Sequence, residues 1–268
     1  MKGAPYFTLA CLPGRTPWGA MAYAFDRRAH AVDPWFGSLS FDHIQICPQN
    51  CLGELTVDRA LQMAADYPDT RFRLHANVRL SGKHSLRRDA NRIHLDQAYI
   101  DEMQQVTRAL GAPAYVLHPG RRAKGEPERA IQRVFRNTLD LEQRLGIPVG
   151  IEGQYPVTSP QQHWFHDWEG YRALLEGPCH FAIDLSHLNI VASKTGRWDW
   201  ALLRDLVQSP RCIEVHVSDN DGTRDQHSPM DTAAPPAWGS VLSSVQPGAA
   251  IFYEGVMRTL EPTGEVIA

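Results

Sequence analysis

The sequence has little of what marks a secreted, membrane-bound or nucleic-acid-binding protein. Its five cysteines are odd in number and form no CxxC pair, which argues against a disulfide framework or a cysteine-rich zinc site. No apolar run approaches the roughly 20 residues that a membrane-spanning helix needs. The net charge of −3 gives no general attraction to DNA or to a membrane surface. We therefore expect a cytoplasmic protein in a reducing compartment.

Internal repeats, low-complexity tracts and linker-like segments are also missing. A chain of 268 residues with 43% hydrophobic residues can form a complete core, and a single α/β barrel typically occupies about 250 residues. Strand-like and helix-like segments alternate, which predicts a parallel sheet with right-handed crossovers. We predict one domain over residues 1–268, a (β/α)8 TIM barrel. Its strands run from one near Tyr6–Ala10 to one at Ala250–Glu254, and the expected helices begin near Glu54, Leu95, Glu126, Trp168 and Trp198.

Six of the predicted strands end on a side chain that can bind a metal ion. They are RFRLH ending at His75, AYVLH at His118, IPVGIE at Glu152, HFAID at Asp184, CIEVH at His216 and AIFYE at Glu254. The carboxyl ends of parallel barrel strands open onto one face, where the active site lies. Three more candidate ligands follow in loops: His187 in DLSH, and Asp225 and His227 in DQH.

Nine imidazoles and carboxylates exceed the needs of one ion, since zinc takes four ligands and harder ions take about six to eight. We predict two or three ions, with carboxylates as bridging ligands and imidazoles bound to single ions. Burying so many carboxylates without cations would cost several kcal/mol. His216, Asp225 and His227 also form a set of two histidines and one carboxylate, which suits non-haem iron. The predicted catalytic residues are Glu152, His216 and Glu254.

The ligand pattern resembles that of the xylose-isomerase-like barrels. This superfamily includes endonuclease IV, sugar isomerases and epimerases, and the multinuclear iron enzymes of methanobactin-type peptide maturation. HPG at His118–Gly120, the Asp184/His187 pair, His216 and DQH are similar to the trinuclear set of endonuclease IV, which is matched at all nine positions. HVSDNDG from His216 resembles a motif of proteins labelled sugar isomerases. The stretches that look closest to the iron oxidases are FTLA at Phe7, EGQYP from Glu152, ASKTG from Ala192 and YEG from Tyr253.

Three reaction classes fit these ligands. A polynuclear zinc or manganese centre supports phosphoester hydrolysis. One ion with Glu152 and Glu254 as acid and base supports isomerisation or epimerisation of a sugar. Iron ions support the oxidation of a bound peptide by O2, at a cysteine side chain. The third class is favoured, because an isomerase needs one ion and DNA hydrolysis needs a basic groove. Iron is then the expected metal, with zinc and manganese as alternatives, and a metal-binding scaffold is the non-enzymatic alternative.

The loops that follow the strands are more basic than the chain as a whole. Their candidate substrate contacts are Arg79, Arg87, Arg88, Arg121 and Arg122, and the segment QQHWFHDWEGY adds Trp164 and Trp168. A basic rim attracts an anionic substrate, and exposed aromatic side chains anchor a peptide or a partner. We expect a precursor peptide with an acidic leader, or another anionic substrate. A small partner protein is a further expectation, and neither DNA nor a membrane is an expected partner.

Overall fold

The computed structural model describes residues 3–50, 52–81, 88–257 and 260, and a closed parallel barrel lies at its centre. The strands are β1 (Tyr6–Thr8), β2 (Val32–Asp33), β3 (Gly37–Ser38), β4 (Ser40–Ile46), β5 (Arg71–Leu74), β6 (Tyr115–Leu117), β7 (Val149–Glu152), β8 (His180–Asp184), β9 (Cys212–Val217) and β10 (Ala250–Tyr253). β2 and β3 form a short antiparallel pair outside the barrel. The other eight strands follow each other in chain order around it, and β10 pairs with β1 to close the ring.

Helices connect most of these strands. They are α1 (Pro17–Asp26), α2 (Val57–Asp66), α3 (Gln97–Leu110), α4 (Ile131–Leu145), α5 (Trp168–Glu176), α6 (Leu185–Thr195) and α7 (Trp200–Gln208). A 3-10 helix at Ala237–Ser244 takes the place of a last helix between β9 and β10. This alternation confirms the predicted (β/α)8 TIM barrel. In the part of the chain that the structure describes, no helix has the length and apolar character needed to cross a membrane.

Local sequence signals explain where the helices begin and end. The α3 helix begins after Asp96, whose side chain accepts a hydrogen bond from the backbone N–H of Tyr99 at 3.0 Å. It ends at Gly111, which has a left-handed φ of 59° that glycine adopts without steric cost.

Two helices, α1 and α6, were not among those predicted. Pro17 and Gly19 lower the apparent helix propensity of α1, although proline is well tolerated in a first turn.

Successive side chains along each barrel strand point alternately outward to the helices and into the barrel, and this divides the core into two regions. In β5, Phe72 and Leu74 point outward to the helices and are buried there, so Arg73 between them lies on the opposite, inward side. In β9, Glu214 and His216 lie inward in the same way and are fully buried. The apolar core therefore lies between strands and helices, whereas the inside of the barrel carries charged and polar side chains directly below its carboxyl end.

Candidate metal centre

The structure brings all nine predicted ligands together at the carboxyl end of the barrel. Eight of them line one narrow cavity of about 120 Å³: His75, His118, Glu152, Asp184, His187, Asp225, His227 and Glu254. The ninth, His216, is fully buried beside this cavity, and its Nδ1 is 3.0 Å from Glu152 Oε1, a cavity-lining residue. Strand ends that lie far apart in the sequence thus supply a single cluster.

Asp184 shows how the local fold positions a ligand. It ends β8 and is also the N-cap of α6, because its Oδ1 accepts hydrogen bonds from the backbone N–H groups of Ser186 at 2.7 Å and His187 at 3.2 Å. The other oxygen, Oδ2, faces His187 Nε2 at 3.5 Å. One carboxylate therefore starts the helix and contributes to the site.

The loop between β9 and β10 supplies Asp225 and His227. Paired backbone hydrogen bonds between Asp219 and Ser228, at 2.9 and 3.0 Å, hold the two ends of this loop together. His227 has a φ of 47°, a left-handed conformation that costs a non-glycine residue on the order of 1 kcal/mol. The backbone N–H of Val256 donates to the His227 carbonyl at 2.8 Å and helps to hold this conformation. The strained backbone places the imidazole in the cavity wall.

The nine ligands divide into three sets of neighbouring donor atoms. His75, His118 and Glu152 form the first set, and Glu152, Asp184 and His216 form the second, each with its donor atoms within 4.8 Å of one another. Glu254 extends the second set, with Oε1 3.7 Å from His216 Nδ1. In the third set, Asp225 Oδ2 lies 3.6 Å from His187 Nε2 and 3.0 Å from His227 Nε2. Because Glu152 belongs to two sets, the arrangement suits two or three neighbouring ions.

Two separations between donor atoms in the cluster fit a shared metal ion better than a hydrogen bond. Two donors that each lie 2.0–2.1 Å from a tetrahedral ion are about 3.4 Å apart. His75 Nε2 is 3.8 Å from Glu152 Oε2, and His187 Nε2 is 3.5 Å from Asp184 Oδ2. These distances are too long for good hydrogen bonds. The buried Nδ1 of His75 and Oδ1 of Asp225 also have no hydrogen-bond partner among the described residues.

The outer nitrogens of two histidines show which nitrogen faces the cavity. His187 Nδ1 donates to the Gly153 carbonyl at 2.9 Å, and His227 Nδ1 donates to the Glu254 carbonyl at 3.1 Å. A carbonyl can only accept, so each Nδ1 carries a hydrogen and each neutral ring presents the lone pair of Nε2 to a carboxylate. That contact is repulsive unless Nε2 is also protonated or a metal ion lies between the two groups. The geometry therefore fits a metal ion at both positions.

Charges within the cluster compensate each other strongly. Burial alone would lower the pKa of His187 and His227, but nearby Asp184, Asp225 and Glu254 reverse this and raise both pKa values to about 10. Burial would raise the pKa of Glu152, yet the surrounding imidazoles hold it well below its usual range. In the absence of metal ions, protons on His187 and His227 offset part of the carboxylate charge, whereas burial lowers the pKa of His75 to about 3. Bound cations would replace the protons of His187 and His227.

One buried group near the site was not predicted. Glu214 Oε1 lies 2.6 Å from His216 Nε2, and its Oε2 accepts from Arg73 Nη1 at 2.6 Å. The sequence carries a signal for this pair, because RFRLH and CIEVH each have a charged residue two positions before the ligand. Residues two apart in a strand face the same side, so both charges lie inside the barrel.

The predicted arginine contacts have different surroundings. Arg79 is half-exposed and lies 3.4 Å from Glu54, Arg88 forms a salt bridge with Asp96, and Arg87 lies outside the described residues. The guanidinium of Arg122 lies 5.2 Å from the centre of the Trp164 ring. Four arginines line a second cavity of about 470 Å³, which we call the arginine cavity: Arg88, Arg92, Arg121 and Arg122.

The tryptophans of the predicted binding surface lie in the core. Trp164 is 3% exposed and Trp168 is 7% exposed. The indole N–H of Trp168 donates to Thr195 Oγ1 at 3.0 Å, so its polar edge also has a partner within the protein. The density of aromatic residues in this segment reflects packing around α5. This corrects the prediction that Trp164 and Trp168 form an exposed surface for a substrate.

Comparisons with known proteins agree on the fold. No family model matches the chain, and no curated protein matches it by sequence. A solved D-tagatose 3-epimerase-like protein has a TM-score of 0.63 at 13% identity, over 95% of this chain and 92% of that chain. The IolI protein with a bound zinc atom gives 0.62 at 12% identity, over 95% and 91%. An AP endonuclease of family 2 from Brucella melitensis gives 0.59 at 15% identity, over 96% and 94%. The chain thus shares the TIM-barrel fold of these proteins.

Proposed function

We propose that the protein is a metal-dependent enzyme that hydrolyses a phosphoester at a centre of two or three ions. The observation that carries this proposal is that three donor sets meet around one small polar cavity and that Glu152 belongs to two of them. Bound ions in such a centre lower the pKa of water and neutralise charge that develops on a phosphoryl group. Zinc and manganese are the metals that this reaction favours.

Tyr155 is the residue of this chain best placed to contact a substrate oxygen. It lines the metal cavity, and its ring lies 4.6 Å from that of His187. Burial, together with the charges of Asp225 and Asp184, raises the pKa of Tyr155 to about 12. Its hydroxyl therefore keeps its proton at neutral pH and can donate a hydrogen bond to a phosphoryl oxygen.

The arginine cavity supports an anionic substrate. It is connected to the metal centre through Asp89, which lines it, and Asn77, whose amide lies 3.4 Å from both Asp89 Oδ1 and His118 Nδ1. Arg121 makes no salt bridge among the residues that the structure describes, so its charge is available to a ligand. Arginine binds phosphate oxygens well because its guanidinium offers several donors in one plane.

Oxidation of a peptide by O2 at an iron centre is the second candidate. The first and third donor sets each contain two imidazoles and one carboxylate, a ligand type used by non-haem iron oxygenases. Iron would then be the metal, and a precursor peptide with an acidic leader would be the substrate. Hydrolysis ranks above it because the buried tryptophans remove the aromatic surface that a peptide would need.

Reconstitution with single metals separates these reactions. Protein purified without oxygen is analysed for bound metal, stripped with a chelator, and reloaded with zinc, manganese or ferrous iron. We expect anaerobic hydrolysis of bis(p-nitrophenyl) phosphate by the zinc or manganese form. Hydrolysis by none of the three forms, with oxygen consumption by the iron form, would select the oxidase. Oxygen-independent interconversion of ketose sugars would select an isomerase or epimerase.

Arg121 tests the substrate class. Arg121→Ala should raise KM for the anionic substrate about tenfold or more and leave metal content unchanged, because it removes a charge-assisted contact and no ligand. The matched control is Arg136→Ala, which removes an exposed arginine on α4. Equal KM values for the two variants would exclude the arginine cavity as the binding site.

A further inference from the structure

His216 meets two different environments through its two ring nitrogens. Its Nδ1 faces the cavity, 3.0 Å from Glu152 Oε1 and 3.7 Å from Glu254 Oε1. Its Nε2 faces the inside of the barrel, where Glu214 Oε1 lies at 2.6 Å. The ring is fully buried, so water cannot take the place of either partner. Both ring nitrogens therefore face carboxylates, and the contact with Glu214 is the shorter of the two.

Glu214 is itself held as a carboxylate. Arg73 Nη1 donates to its Oε2 at 2.6 Å, and the side-chain amide of Gln45 donates to its Oε1. Glu214 and Gln45 are fully buried, and Arg73 is 6% exposed. A buried ion pair of this kind needs further hydrogen bonds. Arg73 Nη1 also donates to the Ile213 carbonyl at 3.1 Å, whereas its buried Nε has no hydrogen-bond partner among the described residues. Because an ionised carboxylate only accepts, His216 carries a hydrogen on Nε2, and a metal ion can bind this ring only at Nδ1.

The other histidines of the centre face the cavity carboxylates through Nε2 and not through Nδ1. His187 and His227 donate from Nδ1 to backbone carbonyls and present Nε2 to the cavity. His118 and His75 also face Glu152 through Nε2. His216 alone among the five presents Nδ1. If nothing held its hydrogen on Nε2, a neutral His216 ring would carry that hydrogen on Nδ1 for part of the time, and Nδ1 could not then bind a metal ion.

We infer that Glu214, with Arg73 behind it, is a positioning residue that fixes the Nε2–H tautomer of His216 and so directs Nδ1 to the metal ions. This inference rests on the proposed metal centre. Glu214 acts through His216, although its Oε1 is also close enough to His75 and His216 to be considered as a ligand. The two roles differ in what its removal does to the number of bound ions.

The wild-type protein gives the first test. With ¹⁵N-labelled histidine and bound zinc, NMR distinguishes a ring bound through Nδ1 from one bound through Nε2. We expect one metal-bound ring of the Nδ1 type, with a hydrogen on Nε2, and its signals should be absent in His216→Asn. If every bound imidazole coordinates through Nε2, the inference is overturned. This measurement does not depend on the folding of a Glu214 variant.

Cobalt titration of the metal-free protein gives the second test. Glu214→Gln should weaken the binding of one ion by about 10–100-fold and alter its visible absorption, while the number of ions at saturation stays the same. Glu142→Gln is the control, because it removes a carboxylate 2.7 Å from His180 Nδ1 at the opposite end of the barrel.

Three outcomes of the titration would contradict the inference, and they can be told apart. Unchanged affinity in Glu214→Gln overturns the positioning role alone. Loss of one whole equivalent of cobalt at saturation also overturns it, because Glu214 would then be a ligand. A wild-type protein that binds no cobalt overturns the proposed centre itself, and the positioning role with it.

Discussion

At Glu152, one carboxylate meets three imidazoles. Its Oε2 lies 3.0 Å from His118 Nε2 and 3.8 Å from His75 Nε2, and its Oε1 lies 3.0 Å from His216 Nδ1. Glu152→Ala should therefore affect two donor sets at once and lower bound metal by at least one ion per chain, with activity falling in parallel. Mass spectrometry of digested protein measures the metal content. Glu169→Gln, an exposed carboxylate change on α5, should retain every ion; equal loss in both variants would contradict the assignment.

Protonation of the imidazoles makes metal binding dependent on pH. The pKa values of His187 and His227 are raised to about 10. In metal-free protein at pH 7.5, both rings are therefore positively charged, with a hydrogen on each ring nitrogen. A metal ion binds only the neutral ring, so loading should release protons. Below pH 10, metal affinity should therefore fall about tenfold for each unit by which the pH is lowered, for each proton released. Calorimetry in buffers of different ionisation enthalpy counts these protons. Release of none at pH 7.5 would show that neither ring is a ligand.

The hairpin of β2 and β3 supports the loop that carries the third donor set. Asp33 accepts hydrogen bonds from the backbone N–H groups of Trp35, Phe36 and Met230 at 2.8, 2.9 and 3.2 Å, and from the Tyr253 hydroxyl at 2.7 Å. Asp33 is 1% exposed, so its removal leaves buried donors without partners. The hairpin therefore fixes the chain three residues after His227.

Asp33→Ala should lower the free energy of unfolding by about 3 kcal/mol and weaken the ion of the third set. Tyr253→Phe removes one of the same four hydrogen bonds and should cost about 1 kcal/mol, with metal affinity unchanged. Urea unfolding of metal-free protein gives both stabilities, and cobalt titration gives the affinities. Two variants with the same stability and the same affinity would show that the hairpin does not support the loop.

The sequence predicted best the strands that end on a metal-binding side chain. The predicted strands at His118 and Glu152 combine an apolar run with a ligand at its end, and the one at His75 alternates charged and apolar residues before its ligand; the structure has a strand at each. The α6 helix was missed because DLSH was interpreted as a loop that carries ligands. In fact Asp184 caps this helix directly, with no connecting residue after β8.

Side-chain surroundings were harder to predict than strand ends. Arg73 and Glu214 have the spacing of inward-facing residues, but spacing cannot show that the two charges meet across the barrel, because β5 and β9 are not neighbours. Trp164 and Trp168 failed for the opposite reason. The basic loops elsewhere in the sequence suggested that these aromatic residues form an exposed surface with the arginines, whereas both tryptophans are buried in the core.

For the whole molecule, the centre links metal binding to stability. Bound ions stabilise the folded state by about 2.7 kcal/mol each at a free concentration 100 times the dissociation constant. Chelation should therefore lower Tm, on the order of 10 °C for two ions in a domain of this size, and adding metal should restore it. Differential scanning calorimetry measures the shift. In Glu152→Ala, the difference in Tm between the metal-loaded and the metal-free protein should be smaller than in the wild type. An unchanged wild-type Tm after verified metal removal would contradict the link between metal binding and stability.

Closure of the barrel also sets the order in which the centre is completed during synthesis. The first donor set is complete once β7 has formed, and the third once the loop after β9 is in place. Glu254 comes last, directly after β10, the strand that joins β9 to β1. A nascent chain that lacks this strand has an open sheet and an unfinished second set. If the proposed centre binds its ions, a chain that lacks β10 should therefore load fewer ions than the closed barrel and be cleaved faster by proteases.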